Sequence, residues 1–378
     1  MENKPFVFGV ATSGDNFTDR KKETARLLSN FRHGVNTVLI SPRRWGKTSL
    51  VRKVCRLAQS DTLKVVYLDI FSCRSEREFY DAFASAVLKQ TSSKLEEWME
   101  NARLFLSRIS PKISLGTEPM TDFSISLELN PKADDVDDIL QLPEKIAQKK
   151  GIDVVVCIDE FQQITEYPEQ NMEALLRTYI QQLKNIRFIF SGSQRAMMLE
   201  IFSNANRPFF ASTQYLAIEK IQQDVYATFI TDLFERYGKQ IDPNCVAEIL
   251  NWSRRHTFYT QSLCNRIFAM GTSHVTTEQV KWACSDLLER NEPVFLQYRQ
   301  LLTPIQWNFL IAIAKEHEVK QISAQHLISK YGIGSPANAR RLAKAMIEKE
   351  LVLETVDKTG VTYQVYDVFF SRWLEREY

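Results

Sequence analysis

Two short stretches hold the residue types that phosphate chemistry requires. In the first, Ser41-Pro42-Arg43-Arg44-Trp45-Gly46-Lys47-Thr48-Ser49, a glycine, a lysine and a hydroxyl stand consecutively, shortly after the apolar run Val38-Leu39-Ile40. The pattern G-x-x-x-x-G-K-[ST] curls backbone N–H groups round the β- and γ-phosphates, adds the lysine ammonium and offers a hydroxyl to Mg²⁺. Gly46, Lys47 and Thr48 fit it, while Ser41 stands where its first glycine would be. Leu50, Val51, Val54 and Leu57 then recur at helical spacing, so a helix N-terminus would aim at the anion. Pro42, Arg43, Arg44, Trp45, Gly46, Lys47, Thr48 and Ser49 form the expected cradle for ATP. In the second stretch the β-branched run Val154-Val155-Val156-Cys157-Ile158 ends in Asp159-Glu160. Open α/β sheets place ligands at the carboxyl ends of their strands. Asp159, with Thr48, would hold Mg²⁺, and Glu160 would orient or deprotonate an attacking water.

Further candidates lie downstream. Ser193 and Gln194 follow the apolar run Ile186-Arg187-Phe188-Ile189-Phe190, and either side chain can sense a γ-phosphate there. Arg207 precedes the run Gln214-Tyr215-Leu216-Ala217-Ile218; it can reach a phosphate of its own or a neighbouring chain, or stack on Phe209.

The elements that position these residues follow from period. Strand-like and helix-like segments alternate up to residue 218, which implies right-handed βαβ crossovers and a parallel sheet with helices on both faces. Asp19 is the expected N-cap of a helix running into Thr24–Leu28. A stretch of period two at 112–129 reads as an inserted β-hairpin, suited either to covering a sheet edge or to docking a partner strand. Asp134, Asp135, Asp137 and Asp138, with Lys145, Lys149 and Lys150 after them, read as one helix charged to suit its dipole. Residues 219–292 are helical throughout, a third helix opening at Ser253. Residues 293–378 read as three helices and a hairpin, a winged helix. Its third helix carries Arg340, Arg341 and Lys344, where a DNA-reading helix would have them. Residues 337–358 nevertheless hold five basic side chains against four acidic ones, which favours a packing or partner module over DNA. The expected division is therefore a nucleotide-binding core at 1–218, a lid at 219–292 and a winged helix at 293–378.

Composition narrows the classes. With 378 residues, 44% hydrophobic and 25% charged, the chain is an ordinary globular one of two or three domains. Its 48 basic and 46 acidic residues leave a net charge of +2, so nucleic-acid binding would need a local patch. Apolar runs stay far below the ~20 residues a bilayer demands, and the first residues lack a signal-peptide layout, so a cytoplasmic protein without a membrane partner is expected. Six cysteines form no C-x-x-C pair and have no histidine at ligand spacing, which argues for free thiols.

Taken with Phe-Ser-Gly-Ser at 190–193, Arg-Pro-Phe-Phe at 207–210 and His-Thr-Phe-Tyr-Thr-Gln at 256–261, the two opening motifs make the chain resemble the archaeal-type P-loop ATPases. This group is AAA+/STAND-like, with a layout related to the Orc/Cdc6 initiators. The resemblance spans nearly the whole chain and implies Mg-ATP as ligand, an ATPase core, a helical lid and a C-terminal winged helix. Three positions in two motifs depart from the family pattern: Ser41 replaces the first glycine, and Arg255 and Thr257 stand where Gly-His-Pro-Phe-Tyr would place glycine and proline. The expected function is an ATP-dependent switch acting on a protein or nucleic-acid partner, with oligomers possible. The alternatives are a DNA-binding initiator or mobile-element ATPase, and a nucleotide-bound scaffold that does not hydrolyse.

Overall fold

A computed structural model describes residues 5–106, 111–115, 123–127, 133–169, 171–358 and 360–378. The chain divides into two compact units, one of residues 11–219 and one of residues 220–378 with the segment up to Val10.

In the first unit the strands are β1 (Thr37–Ile40), β2 (Leu63–Asp69), β3 (Pro111–Leu115), β4 (Phe123–Leu127), β5 (Asp153–Asp159), β6 (Ile186–Gly192) and β7 (Gln214–Ala217). Between them run the helices α1 (Lys21–Arg32), α2 (Lys47–Ala58), α3 (Glu76–Thr91), α4 (Leu95–Phe105), α5 (Ala133–Leu140), α6 (Leu142–Lys150), α7 (Met172–Ile180) and α8 (Arg195–Ser203). Five strands form one parallel sheet in the order β2-β5-β6-β1-β7. The inner strands β1, β5 and β6 are buried along nearly their whole length, as strands covered on both faces are, whereas the edge strand β7 is mostly exposed. Along β5, Val154, Val156 and Ile158 enter one core with Phe79 and Phe83 of α3, whereas Val155 and Cys157 enter another with Leu50 and Val54 of α2. The expected helices on both faces are present.

Register then sets up the site. The β2–β5 pairing puts Asp69 opposite Asp159, and the β1–β6 pairing puts Ile40 opposite Gly192. The loops leaving β1, β5 and β6 thus emerge side by side.

The hairpin expected over 112–129 pairs as β3 and β4, antiparallel, with Ile113 opposite Ile125; residues 116–122 and 128–129 lie outside the described residues. Two local expectations fail. The helix after residue 20 starts at Lys21 behind a left-handed Arg20 (φ 56°), so Asp19 is not its N-cap. The acidic-to-basic helix is two helices, α5 and α6, because Pro143 opens a new first turn and has no N–H with which to extend the old one.

The second unit contains α9 (Gln223–Arg236), α10 (Pro243–Trp252), α11 (Thr257–Phe268), α12 (Thr277–Leu301), α13 (Pro304–Lys315), α14 (Gln325–Tyr331), α15 (Pro336–Glu348) and α16 (Val368–Glu377). Its strands are β8 (Gln240–Ile241), β9 (His274–Val275), β10 (Val352–Asp357) and β11 (Gly360–Val365), the last two forming the antiparallel wing. Capping boxes start α12 at Thr276 and α13 at Thr303. On α15, Ala339, Leu342, Ala343 and Met346 face the core, which leaves Arg340, Arg341 and Lys344 exposed. The helix expected to open at Ser253 begins at Thr257 instead. Arg254 and Arg255 stand before it with φ of 54° and 56°, outside helical space.

Candidate functional site

The loop between β1 and α2 is built by backbone conformation. Arg44 and Gly46 are left-handed at φ 64° and 86°, and the Leu50 N–H bonds the Gly46 carbonyl at 2.9 Å to start α2. With glycine at the cap, no side chain there covers the amides of Lys47, Thr48 and Ser49, and they remain available to an anion. Ser41 lies outside the left-handed region, so the missing first glycine causes no backbone strain. Its buried hydroxyl donates to the Pro42 carbonyl at 3.2 Å. Pro42 is half-buried, Arg43 and Arg44 are exposed, and Trp45 is buried. Ser49 turns away from the loop mouth, its Oγ accepting from the Thr12 N–H at 2.9 Å.

Lys47 is only 6% exposed and points at the tip of β5. Its Nζ lies 3.4 Å from Asp159 Oδ1 and 3.3 Å from Glu160 Oε1. Thr48 Oγ1 donates to Asp159 Oδ2 at 3.0 Å. The two stretches singled out in the sequence therefore form one cluster. Glu160 sits in the left-handed region at φ 56°, a conformation that costs about 1–2 kcal/mol for a residue with a Cβ and that turns the chain sharply after the strand. Its Oε2 accepts from Ser193 Oγ at 2.7 Å and from Gln162 Nε2 at 2.6 Å. Of the two candidates after β6, Ser193 joins the cluster, while Gln194 is half-buried and precedes α8 without a side-chain capping bond. Arg207 is engaged elsewhere: its Nη1 pairs with Glu173 Oε1 at 3.3 Å, and Phe209 packs among Phe161, Phe190 and Phe202.

Electrostatics follow from burial. Asp159 is 2% exposed, and burial pushes its carboxyl up; the Lys47 ammonium and hydrogen bonds from Tyr67 and Thr48 outweigh that and hold it below the ordinary aspartate value. Asp69, opposite it across the β2–β5 ladder, is pushed up, first by burial and also by the charges of Asp159 and Glu160.

Several participants were not picked out in the sequence. Tyr67 donates to Asp159 Oδ2 at 2.9 Å. Gln162 steadies Glu160 and fits beside Gly192, where an added Cβ would meet Gln162 Oε1 at 2.4 Å. Arg20, buried, donates from Nη2 to the Trp45 carbonyl at 3.3 Å and from Nη1 to the Glu219 carbonyl at 2.6 Å, tying the loop to the chain leaving β7. Tyr67 and Asp69 had a legible signal, polar residues at a strand's carboxyl end. Arg20 had none.

The donors fit Mg-ATP. A threonine hydroxyl and an aspartate are hard oxygen ligands, and Mg²⁺ takes one or two of these together with substrate phosphates. Among the described residues no group of three or more His, Cys, Asp or Glu could hold a metal by itself. No described helix is long and apolar enough to cross a membrane, and all six cysteines are free.

Comparison with known proteins agrees with this architecture. A family model described as a probable winged helix domain matches residues 293–376. Among solved structures, a Walker-type ATPase of Pyrococcus abyssi superposes with a TM-score of 0.66 at 16% identity, covering 98% of this chain and 99% of its own. The ORC2 protein of Aeropyrum pernix, in ADPNP–ADP complexes, gives 0.61 at 14% identity over 98% and 95%. No curated protein matches the sequence. A model described as an ATPase domain predominantly from Archaea matches residues 17–253, well over half of the chain, which therefore belongs to that ATPase family.

Proposed function

We propose that the protein is a nucleotide-dependent switch that binds and hydrolyses Mg-ATP in the cluster around Lys47 and relays nucleotide state to a partner. The carrying observation is the way Lys47 is held. Its distances of 3.3 and 3.4 Å to two carboxylates exceed the 2.7–2.9 Å of a strong charged hydrogen bond, so the ammonium is stored among acids and available to a more negative ligand. In this reading Lys47 and the 42–48 backbone, through the N–H groups of 43–48, hold the phosphates, and Thr48 and Asp159 hold Mg²⁺. Bound Mg²⁺ would neutralise charge on the β- and γ-phosphates. Glu160, aligned by Ser193 and Gln162, accepts the proton of the attacking water. Ser193 links that carboxylate to β6 and so can report the γ-phosphate, a task for which Gln194 is the other candidate. The ADPNP and ADP complexes of the structurally similar ORC2 protein support the choice of adenine nucleotides. Calorimetric titration of the purified chain with ATP and Mg²⁺ tests the reading: saturable binding of one ATP per chain is expected, and no heat of binding overturns it.

A DNA-directed role has a specific observation behind it, the exposed row of Arg340, Arg341 and Lys344 on the third helix of the winged domain. Arg341 is steadied by Asn338 Oδ1 at 2.8 Å. If this row meets phosphates, changing all three residues to glutamate abolishes duplex binding at low salt, and each lost contact lowers the slope of log affinity against log salt by about 0.9. Equal duplex binding by wild type and variant would instead leave the winged helix as a protein-packing module.

A further inference from the structure

A second polar cleft, which shares no residue with the Lys47 cluster, opens within the unit of residues 220–378. It has a volume of about 590 Å³, inside the range of small-molecule sites, and its lining includes Lys220, Arg254, Arg255 and Arg372, with Glu318 as the lone lining carboxylate.

The charges in it are unevenly matched. Glu375 serves Arg254 at 2.8 Å and Arg372 at 2.7 Å, and Arg372 also donates to the Trp252 and Asn251 carbonyls. Glu318 Oε1 accepts from Gln364 at 2.6 Å. Lys220 has no hydrogen bond or ion pair among the described residues, although it is half-buried. Burial lowers its pKa first and the Arg255 charge adds to that, with only Glu318 opposing. On Arg254 the Nη1 nitrogen is buried without a partner.

Backbone strain points the same way. Arg254 and Arg255 are consecutive left-handed residues with side chains, in a conformation glycine adopts freely. Strain of this kind persists where surrounding contacts impose it, and it clusters at ligand sites. Here it brings two guanidinium groups to one wall beside an unpaired ammonium, which a fold under no further demand would avoid.

We propose that this cleft binds a phosphate-bearing small molecule, gripped by Lys220 and Arg255, with Arg254 and Arg372 supplying the surrounding positive field. Guanidinium forks match phosphate oxygens in pairs, and a multiply charged phosphate offsets several cations where one carboxylate would not.

The test uses the full chain and inorganic pyrophosphate as probe, titrated by calorimetry. The Lys220→Gln/Arg255→Gln double variant is expected to bind one pyrophosphate fewer than wild type, or to bind it at that site roughly tenfold or more weakly, as loss of charged hydrogen bonds implies. Binding at the Lys47 loop is unchanged in both proteins, so failure of the ATP reading would alter both isotherms alike and stay distinguishable. Identical isotherms overturn the proposal. Thermal melting without ligand is the second readout: Lys220→Gln should melt at or above the wild-type temperature because it relieves an unpaired charge. A large drop would make Lys220 structural and overturn the assignment. Displacement of pyrophosphate from this site by a 20-base-pair duplex or a hexaglutamate peptide, added at equal charge, would overturn the small-molecule assignment in favour of that polymer.

Discussion

Replacing Glu160 by glutamine is expected to cut ATP turnover by roughly 10²–10⁴-fold, the range that a positioned general base contributes, while ATP still binds. The substitution keeps shape and removes basicity. Glutamine's carbonyl oxygen can still accept the hydrogen bonds that Ser193 Oγ and Gln162 Nε2 give to the carboxylate at 2.7 and 2.6 Å, so the turn at residue 160 should survive. Affinity for ATP should hold or rise, because a negative charge beside the phosphates is gone and Lys47 loses one of its two acidic neighbours. Single-turnover hydrolysis with radiolabelled ATP, alongside equilibrium binding, separates the two effects. Turnover equal to wild type would remove Glu160 from the chemistry, and loss of binding would mean that it supports the cradle instead.

Substituting Lys47 by methionine should do two things at once. It removes the ammonium from the phosphate loop, so ATP affinity falls steeply. It also strips Asp159, 2% exposed, of its cation, and breaking a buried pair from one side typically costs about 3–5 kcal/mol. The second effect carries a pH signature. In the wild-type fold Asp159 titrates below its ordinary value, so the stabilisation from Lys47 is fully present above the unfolded aspartate pKa of about 3.9 and is lost as pH falls through the lower folded one. Denaturant unfolding of both proteins without nucleotide should therefore show a gap at pH 7 that narrows as pH drops below about 4. Adding Asp159→Asn to Lys47→Met should recover most of the loss at pH 7, since no uncompensated charge remains. A gap independent of pH would place the cost in packing of the lysine stem.

The core of the site was legible because its signals are local. A glycine ahead of lysine and threonine, following one apolar run, and two acids ending another, report backbone geometry and strand termini that neighbouring residues in sequence determine. The parallel sheet was legible for a related reason: strands buried on both faces cannot alternate, and Val154–Ile158 does not. Boundaries fared worse. Asp19 offered the right chemistry for a cap, but the buried contacts of Arg20 with Trp45 and Glu219 move the helix start past it. Pro143 divided a helix whose charge order looked continuous. The departure at Arg255 is visible in sequence only as a missing glycine; the structure shows a left-handed arginine in that place.

By itself the sequence determined the alternation of strands and helices, the strand–loop–helix turn at Gly46-Lys47-Thr48 and the acidic strand end, since each depends on residue type and spacing within a few positions. Only the tertiary structure decided that Tyr67, Gln162 and Ser193 converge on the same two carboxylates, that Arg207 pairs with Glu173, and that Lys220 shares a cleft with Arg372. Those encounters join residues up to some 150 positions apart, and strand order, register and helix packing set them through burial, which no local pattern encodes.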